Sequence, residues 1–298
     1  MADEDLVLIT LDGRPHDPRD PLLHADDLAV LRGDGVFETV LVRDGAACAI
    51  ELHLGRLRRS AEMIELPEVD LDEWRTAVAA ALKQWGAERE GVMRLVLSRG
   101  RETTGAAERF EPKLPTAYLS VGPVPERVRK AREHGVSVVT LPRGYSVELA
   151  QSAPWLGLGA KTLAYGANQA ALRFARRNSA DDAIFISTEN RVLEGTHSTV
   201  LVWRDEQLLT PPHRYGVVPG TTQRALFEVA EKAGLECRYK PLFAVDLILA
   251  DGLWLLSSTA LAARVHTLDG LPKSEPEFAP RLVELVDEAT RKIGALRG

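Results

Sequence analysis

Apolar residues in this chain of 298 residues arrive in short segments, some alternating with polar positions and some recurring at helical spacing. Turn-forming Gly, Asp, Asn and Pro separate them. Leu6 to Thr10 reads as a strand running into the turn Asp12-Gly13. Val36 to Val42 reads as another, closed by Asp44-Gly45 before a third strand, Ala46 to Ile50. Leu54, Leu57, Ala61 and Ile64 then recur at helical spacing up to Pro67, which cannot continue a helix. Trp74, Val78 and Leu82 mark a second helix over about 71–85. Val92 to Ser98 and Ala117 to Val121 are again strand-like. Strands in runs and helices in runs, without strict βαβ alternation, favour an α+β architecture over a doubly wound parallel sheet.

Gly122-Pro123-Val124-Pro125 has the composition of a connector, and roughly 150 residues per domain leaves room for two. The expected division is an N-terminal α/β domain, 1–122, and a C-terminal β-rich domain, 123–298. The second half opens with a strand, Val136 to Leu141, and an irregular stretch that ends at Lys161. A helix from about Tyr165 to Arg177 follows, then the short strands Ala183 to Ser187, Thr199 to Trp203 and Leu208 to Thr210. Thr222 is the expected N-cap of a helix reaching Gly234. Arg281 to Ala295 is an amphipathic terminal helix after the Pro-rich loop Leu271 to Pro280.

Hydrophobic residues make up 45% and charged residues 27% of the chain, a balance that fits a globular protein and not a disordered one. The 37 basic and 43 acidic residues leave a net charge of −6, which argues against nucleic acid as the main partner. No apolar run approaches the ~18 residues of a membrane span, and the start Met1-Ala2-Asp3-Glu4-Asp5 is acidic where a signal peptide is basic. The expectation is a cytoplasmic protein without a membrane partner. Cys48 and Cys237 lack any C-x-x-C spacing, and the seven histidines include no pair at zinc-ligand spacing on a helix, so no metal is expected.

Two glycine-containing motifs fail their own tests. Gly157-Leu158-Gly159-Ala160-Lys161-Thr162 resembles a phosphate loop, but that motif needs Gly where Ala160 and Trp155 stand. Gly33-Asp34-Gly35 has Glu38, not Gly, at the third position of a dinucleotide fingerprint. What remains is Lys161, one of eight lysines, flanked by small and apolar residues from Leu156 to Ala164. Desolvation there lowers an amine's pKa, and a neutral amine is what condensation with an aldehyde requires. Taken alone, Lys161 reads equally as a snorkelling surface lysine at a helix start, Glu194 as a turn residue, and Arg56 as a solvated helix arginine beside Arg58 and Arg59.

Six blocks in order change that balance: Gly33-Asp34-Gly35-Val36-Phe37-Glu38, His53-Leu54-Gly55-Arg56-Leu57, Ala160-Lys161-Thr162, Leu193-Glu194-Gly195-Thr196-His197-Ser198, Pro219-Gly220-Thr221-Thr222 and Ser257-Ser258-Thr259. With these blocks the chain resembles the class IV, or fold-type IV, family of pyridoxal-phosphate enzymes, most like its aminodeoxychorismate lyases, with branched-chain and D-amino-acid aminotransferases as relatives. The resemblance implies a two-domain homodimer with pyridoxal 5'-phosphate in the interdomain cleft. Lys161 would carry the cofactor covalently and act as catalytic base. Glu194 would face the pyridine nitrogen and keep it protonated, so that the ring accepts electrons. Arg56, Thr221, Thr222 and Thr259 would bind the phosphate.

Phe37, Arg101 and Arg99 are the substrate-side candidates by the same resemblance. Phe37 stands where the D-amino-acid enzymes have Tyr, and Arg99-Gly100-Arg101 corresponds loosely to an arginine-rich loop of the lyases. The family's usual Asn after the Glu is Thr199 here. The implied function is a lyase converting 4-amino-4-deoxychorismate to 4-aminobenzoate and pyruvate for folate synthesis. A branched-chain or D-amino-acid aminotransferase is the alternative, and a non-catalytic pyridoxal-phosphate-binding protein is a third reading.

Overall fold

A computed structural model describes residues 6–102 and 114–297; the acidic start at residues 1–5 lies outside the described residues. The chain forms two compact units. One comprises Met1–Val124, Ala160–Tyr165 and Gly294–Gly298, and the other Pro125–Gly159 and Gly166–Ile293. These units differ from the expected contiguous division at 122/123 in two respects. Gly122 and Pro123 still belong to a strand, paired with Val92 and Gly91. Moreover, the six residues around Lys161 and the last few of the chain return to the first unit.

The first unit is built on a seven-stranded sheet in the order Leu296–Arg297, Ala46–Ala47, Gly35–Arg43, Gly91–Ser98, Thr116–Pro123, Val7–Thr10 and Pro15–His16. Helices Ile50–Met63 and Leu71–Trp85 supply the other half of its core, in which Leu54, Leu57, Trp74, Val78 and Leu82 pack with Val36, Val40 and Val42. The Leu71–Trp85 helix starts where Asp70 accepts hydrogen bonds from the Asp72 and Glu73 N–H groups, a cap worth ~1 kcal/mol. The expected strand Ala46 to Ile50 is shorter. Ala49 takes a left-handed φ of 52°, which turns the chain so that Ile50 already opens the helix.

The second unit carries a nine-stranded sheet. Its path runs Glu236–Tyr239, Gln207–Thr210, Thr199–Arg204, Gly252–Ser257, Leu261–Leu268, Val136–Pro142, Asp182–Ile186 and Val192–Gly195, with Leu271–Pro272 paired to Leu261–Leu268. Antiparallel and parallel pairs mix in it, as is common in large sheets. Four of these strands, 192–195, 236–239, 252–257 and 261–268, carry no assignment from sequence pattern. The same holds for the Glu126–His134 helix, whose Arg, Lys and Glu content leaves only Val128 buried. The terminal helix spans Ala279–Lys292, starting inside the stretch expected as loop.

Among the described residues no helix is long and apolar enough to cross a membrane, and no group of three or more His, Cys, Asp or Glu is placed to hold a metal ion.

Candidate active site

Strand alternation places Val36, Glu38, Val40 and Val42 on one buried face of Gly35–Arg43. A carboxylate in that register has to be paired, because an isolated charge in an apolar core is prohibitively costly. The pairing comes from the Ile50–Met63 helix, which turns His53 and Arg56, one turn apart, toward the strand. His53 Nδ1 lies 2.6 Å from Glu38 Oε2, and Arg56 donates from Nε to Oε1 and from Nη2 to Oε2, each at 2.7 Å. Burial pushes the Glu38 carboxyl up, but Arg56 and then His53 outweigh it and hold the group well below the usual carboxylate range. For His53, burial lowers the pKa first. Glu38 opposes this, and the charges of Arg56 and Lys161 add to the lowering. Arg56 is buried to 7% exposure, not a solvated helix arginine.

Lys161 lies in an extended segment, not at a helix start; the following helix opens at Gly166. Val36 and Thr162 form an isolated antiparallel bridge. The Phe37 N–H donates to the Lys161 carbonyl at 3.0 Å, the Leu163 N–H to the Gly35 carbonyl at 2.8 Å, and the Lys161 N–H to Ser60 Oγ at 3.1 Å. Gly35 is required here, since a Cβ would sit 2.5 Å from the Leu97 carbonyl and 2.7 Å from Leu163 Cδ1. The pinned backbone sends Lys161 Nζ over the Phe37 ring, 4.5 Å from its centroid, and 5.9 Å from that of Tyr165. The two rings meet edge to face at 5.4 Å. Aromatic faces attract a cation and offer an amine a poorly hydrated setting.

The two arginine candidates for the substrate are engaged elsewhere. Arg99 grips Asp34 through Nε and Nη2 and donates to the Ile64 and Glu65 carbonyls. Arg101 forms a two-pronged, exposed pair with Asp26. The first unit thus brings Phe37, Arg56 and Lys161 into one framework through Glu38 and Ser60, and ties Arg99 and Arg101 to partners of their own.

In the second unit Glu194 lies in the strand Val192–Gly195, not in a turn. Its Oε2 accepts the Val218 N–H at 2.9 Å. Burial, and then the charge of Glu194, raises the pKa of Tyr145. Beyond Glu194 the chain is clamped: Thr196 Oγ1 donates to Asp182 at 2.6 Å, and Asn168 Nδ2 donates to the Thr196 carbonyl at 2.5 Å. Two residues after Val218 comes Gly220, the actual N-cap of the helix Thr221–Lys232. This corrects Thr222, which lies inside the first turn. Gly220 makes no side-chain cap and has no room for a Cβ, which would stand 2.3 Å from Thr199 Oγ1. A helix start with close backbone access and buried Thr221 and Thr222 is a setting that suits a phosphate. Thr259 occupies a hairpin tip, where its carbonyl accepts from Arg132 Nε at 2.7 Å.

Glu38, His53, Ser60, Tyr145 and Arg132 had no assigned role in the sequence reading. The signal for Glu38 is its inward register among valines, which a surface glutamate does not share.

Each unit by itself offers groups of a kind an aldehyde-bearing pyridine phosphate calls for: the first an amine over aromatic faces and a buried arginine, the second a strand-borne carboxylate and a helix start without a side-chain cap. The family described as Amino-transferase class IV matches residues 35–268. A bifunctional aminodeoxychorismate lyase / D-amino acid transaminase of Mycobacterium tuberculosis is 51% identical over 95% of this chain and 98% of its own. A solved PLP-bound structure of a hypothetical aminotransferase from Mycobacterium tuberculosis superposes with a TM-score of 0.91 at 51% identity, over 95% of this chain and 98% of that one. A fold IV transaminase from Curtobacterium pusillum follows at 37% identity and a TM-score of 0.87, over 96% of this chain and 98% of its own.

Proposed function

The chain belongs to the amino-transferase class IV family, and from that membership we propose that it is an aminodeoxychorismate lyase releasing 4-aminobenzoate and pyruvate. It is a fold-type IV enzyme that uses pyridoxal 5'-phosphate. The observation that carries the substrate assignment is the 51% identity, across nearly the whole chain, to a relative named for this lyase activity. That name also carries D-amino acid transaminase, so transamination of D-amino acids is the second reading.

When bound, the cofactor supplies an aldehyde that captures the substrate amine and a ring that takes up electrons. Lys161 would hold the cofactor, and its Nζ would remove the proton from the substrate's amine-bearing carbon. It acts as an oriented and poorly hydrated base. The same Nζ, now protonated, delivers a proton to the departing enolpyruvyl group, and the aromaticity of 4-aminobenzoate drives that step. Glu194, steadied by the Val218 N–H, would keep the ring nitrogen protonated. Arg56 and the Thr221, Thr222 and Thr259 positions bind the phosphate, and Phe37 borders the substrate. Arg101 is the substrate-carboxylate candidate ahead of Arg99, whose guanidinium is largely taken by Asp34 and two carbonyls. The enzyme works as a cytoplasmic homodimer in folate synthesis on this reading.

The deciding experiment gives the purified holoenzyme aminodeoxychorismate, and separately a D-amino acid with 2-oxoglutarate. Formation of 4-aminobenzoate and pyruvate in equal amounts, with no 2-oxo acid added, is the expected result. Fast amination of 2-oxoglutarate with no 4-aminobenzoate hands the assignment to the transaminase.

Glu194→Gln should retain the cofactor while lowering kcat about 100-fold or more, because a neutral amide cannot stabilise a protonated ring nitrogen as a carboxylate does. Unchanged kcat counts against that role.

A further inference from the structure

The hairpin joining Gly252–Ser257 to Leu261–Leu268 closes through only Ser258, Thr259 and Ala260, with Ser257 opposite Leu261. Leu261 holds a φ of +59°, a left-handed conformation that side-chain-bearing residues rarely adopt. Such a tip keeps its shape only where its surroundings over-determine it.

The peptide between Thr259 and Ala260 is fixed at both ends. Its N–H donates to Ser257 Oγ at 3.1 Å, and its carbonyl accepts from Arg132 Nε at 2.7 Å. In a trans amide these groups point in opposite directions, so restraining both leaves the peptide plane little freedom. Arg132 comes from the Glu126–His134 helix, 127 residues away in sequence. That helix is anchored beside the sheet by buried Val128 and by Ala131, which packs on the core. The donor is charged, so this bond is stronger than an amide pair.

We propose that Arg132 is a positioning residue for the cofactor phosphate: by holding the Thr259 carbonyl it fixes the Ser258–Ala260 tip in the one shape that presents Thr259 to that anion. This rests on the reading of Thr259 as a phosphate ligand. On this proposal Arg132 acts through the Thr259 carbonyl. Its effect is selective for ligands that carry the phosphate, which a general structural role would not be.

The test reconstitutes the full-length apoenzyme with pyridoxal 5'-phosphate and, separately, with pyridoxal, following the visible absorbance of bound cofactor. Arg132→Met should raise the dissociation constant for pyridoxal phosphate about tenfold and leave that for pyridoxal unchanged. Arg132→Lys, which keeps a charged donor, should recover most of the loss. Equal weakening of both ligands, no weakening of either, or a lysine variant no better than methionine overturns the proposal. Thr259→Ala separates the two layers. If it weakens pyridoxal phosphate while Arg132→Met does not, the Arg132 inference alone falls. If neither variant weakens it, the reading of Thr259 falls as well.

Discussion

Lys161→Ala is expected to lower turnover by on the order of 10,000-fold, because proton removal and proton return in the proposed cycle both pass through the same Nζ. The backbone that aims this group is held by Phe37 and by Ser60, and no other lysine occurs between Lys130 and Lys232. Steady-state assays on purified variant and parent measure the loss. Borohydride reduction of the holoenzyme, followed by peptide mapping, tests the chemistry directly: the pyridoxyl label should sit on Lys161. Label on a different lysine, or a variant that retains near-normal kcat, rejects the assignment.

The second large effect is on stability. Glu38→Ala strips a fully buried carboxylate from Arg56 and His53 and leaves a guanidinium in the core without its main counter-charge. Breaking such a pair costs roughly 3–5 kcal/mol, measurable as a drop in the urea midpoint at unchanged m-value. Removing both charges, as Glu38→Ala with Arg56→Met, should recover part of that loss, since the pair's net contribution is far smaller than the penalty for orphaning one member. A single variant as stable as the parent shows that the pair carries no such weight.

The same cluster sets a pH dependence. Burial holds the His53 pKa below the ordinary 6.5 in the folded chain. As pH falls through about 6.5 the unfolded chain therefore takes up more protons at this residue than the native state does, and stability declines. Glu38 has a depressed folded pKa, so its contribution is complete above the ordinary 4.5 and is lost only as pH falls below that value toward the folded one. Two descending limbs are expected in acid, and His53→Gln should remove the one near 6.5 alone.

Local pattern accounted for much of the architecture. The helix over 71–85, the strand through Val36 to Val42 and the Asp44-Gly45 turn were legible because periodicity, caps and turn residues act within a few positions of each other. So were Lys161 and Glu194 as candidates, since their blocks lie in the order of a known family. Periodicity failed where burial is two-sided or where charged residues line a short helix. The strands 192–195, 252–257 and 261–268 show no polar alternation sharp enough to read, and Glu126–His134 looks like solvent-facing coil.

What the sequence by itself determined is therefore the elements with sharp local periodicity, the family and a set of candidate residues. Only the tertiary structure decided which of them are partners. Glu38 meets His53 and Arg56 across 15 and 18 positions, and Lys161 N–H reaches Ser60 across 101. Arg132 holds Thr259 across 127, while Arg99, a candidate for the substrate, closes on Asp34 instead. Hydrogen bonds and ion pairs act over a few ångströms in space whatever the separation along the chain. Their pairing is fixed by how the sheets and helices pack, which short-range propensity does not encode.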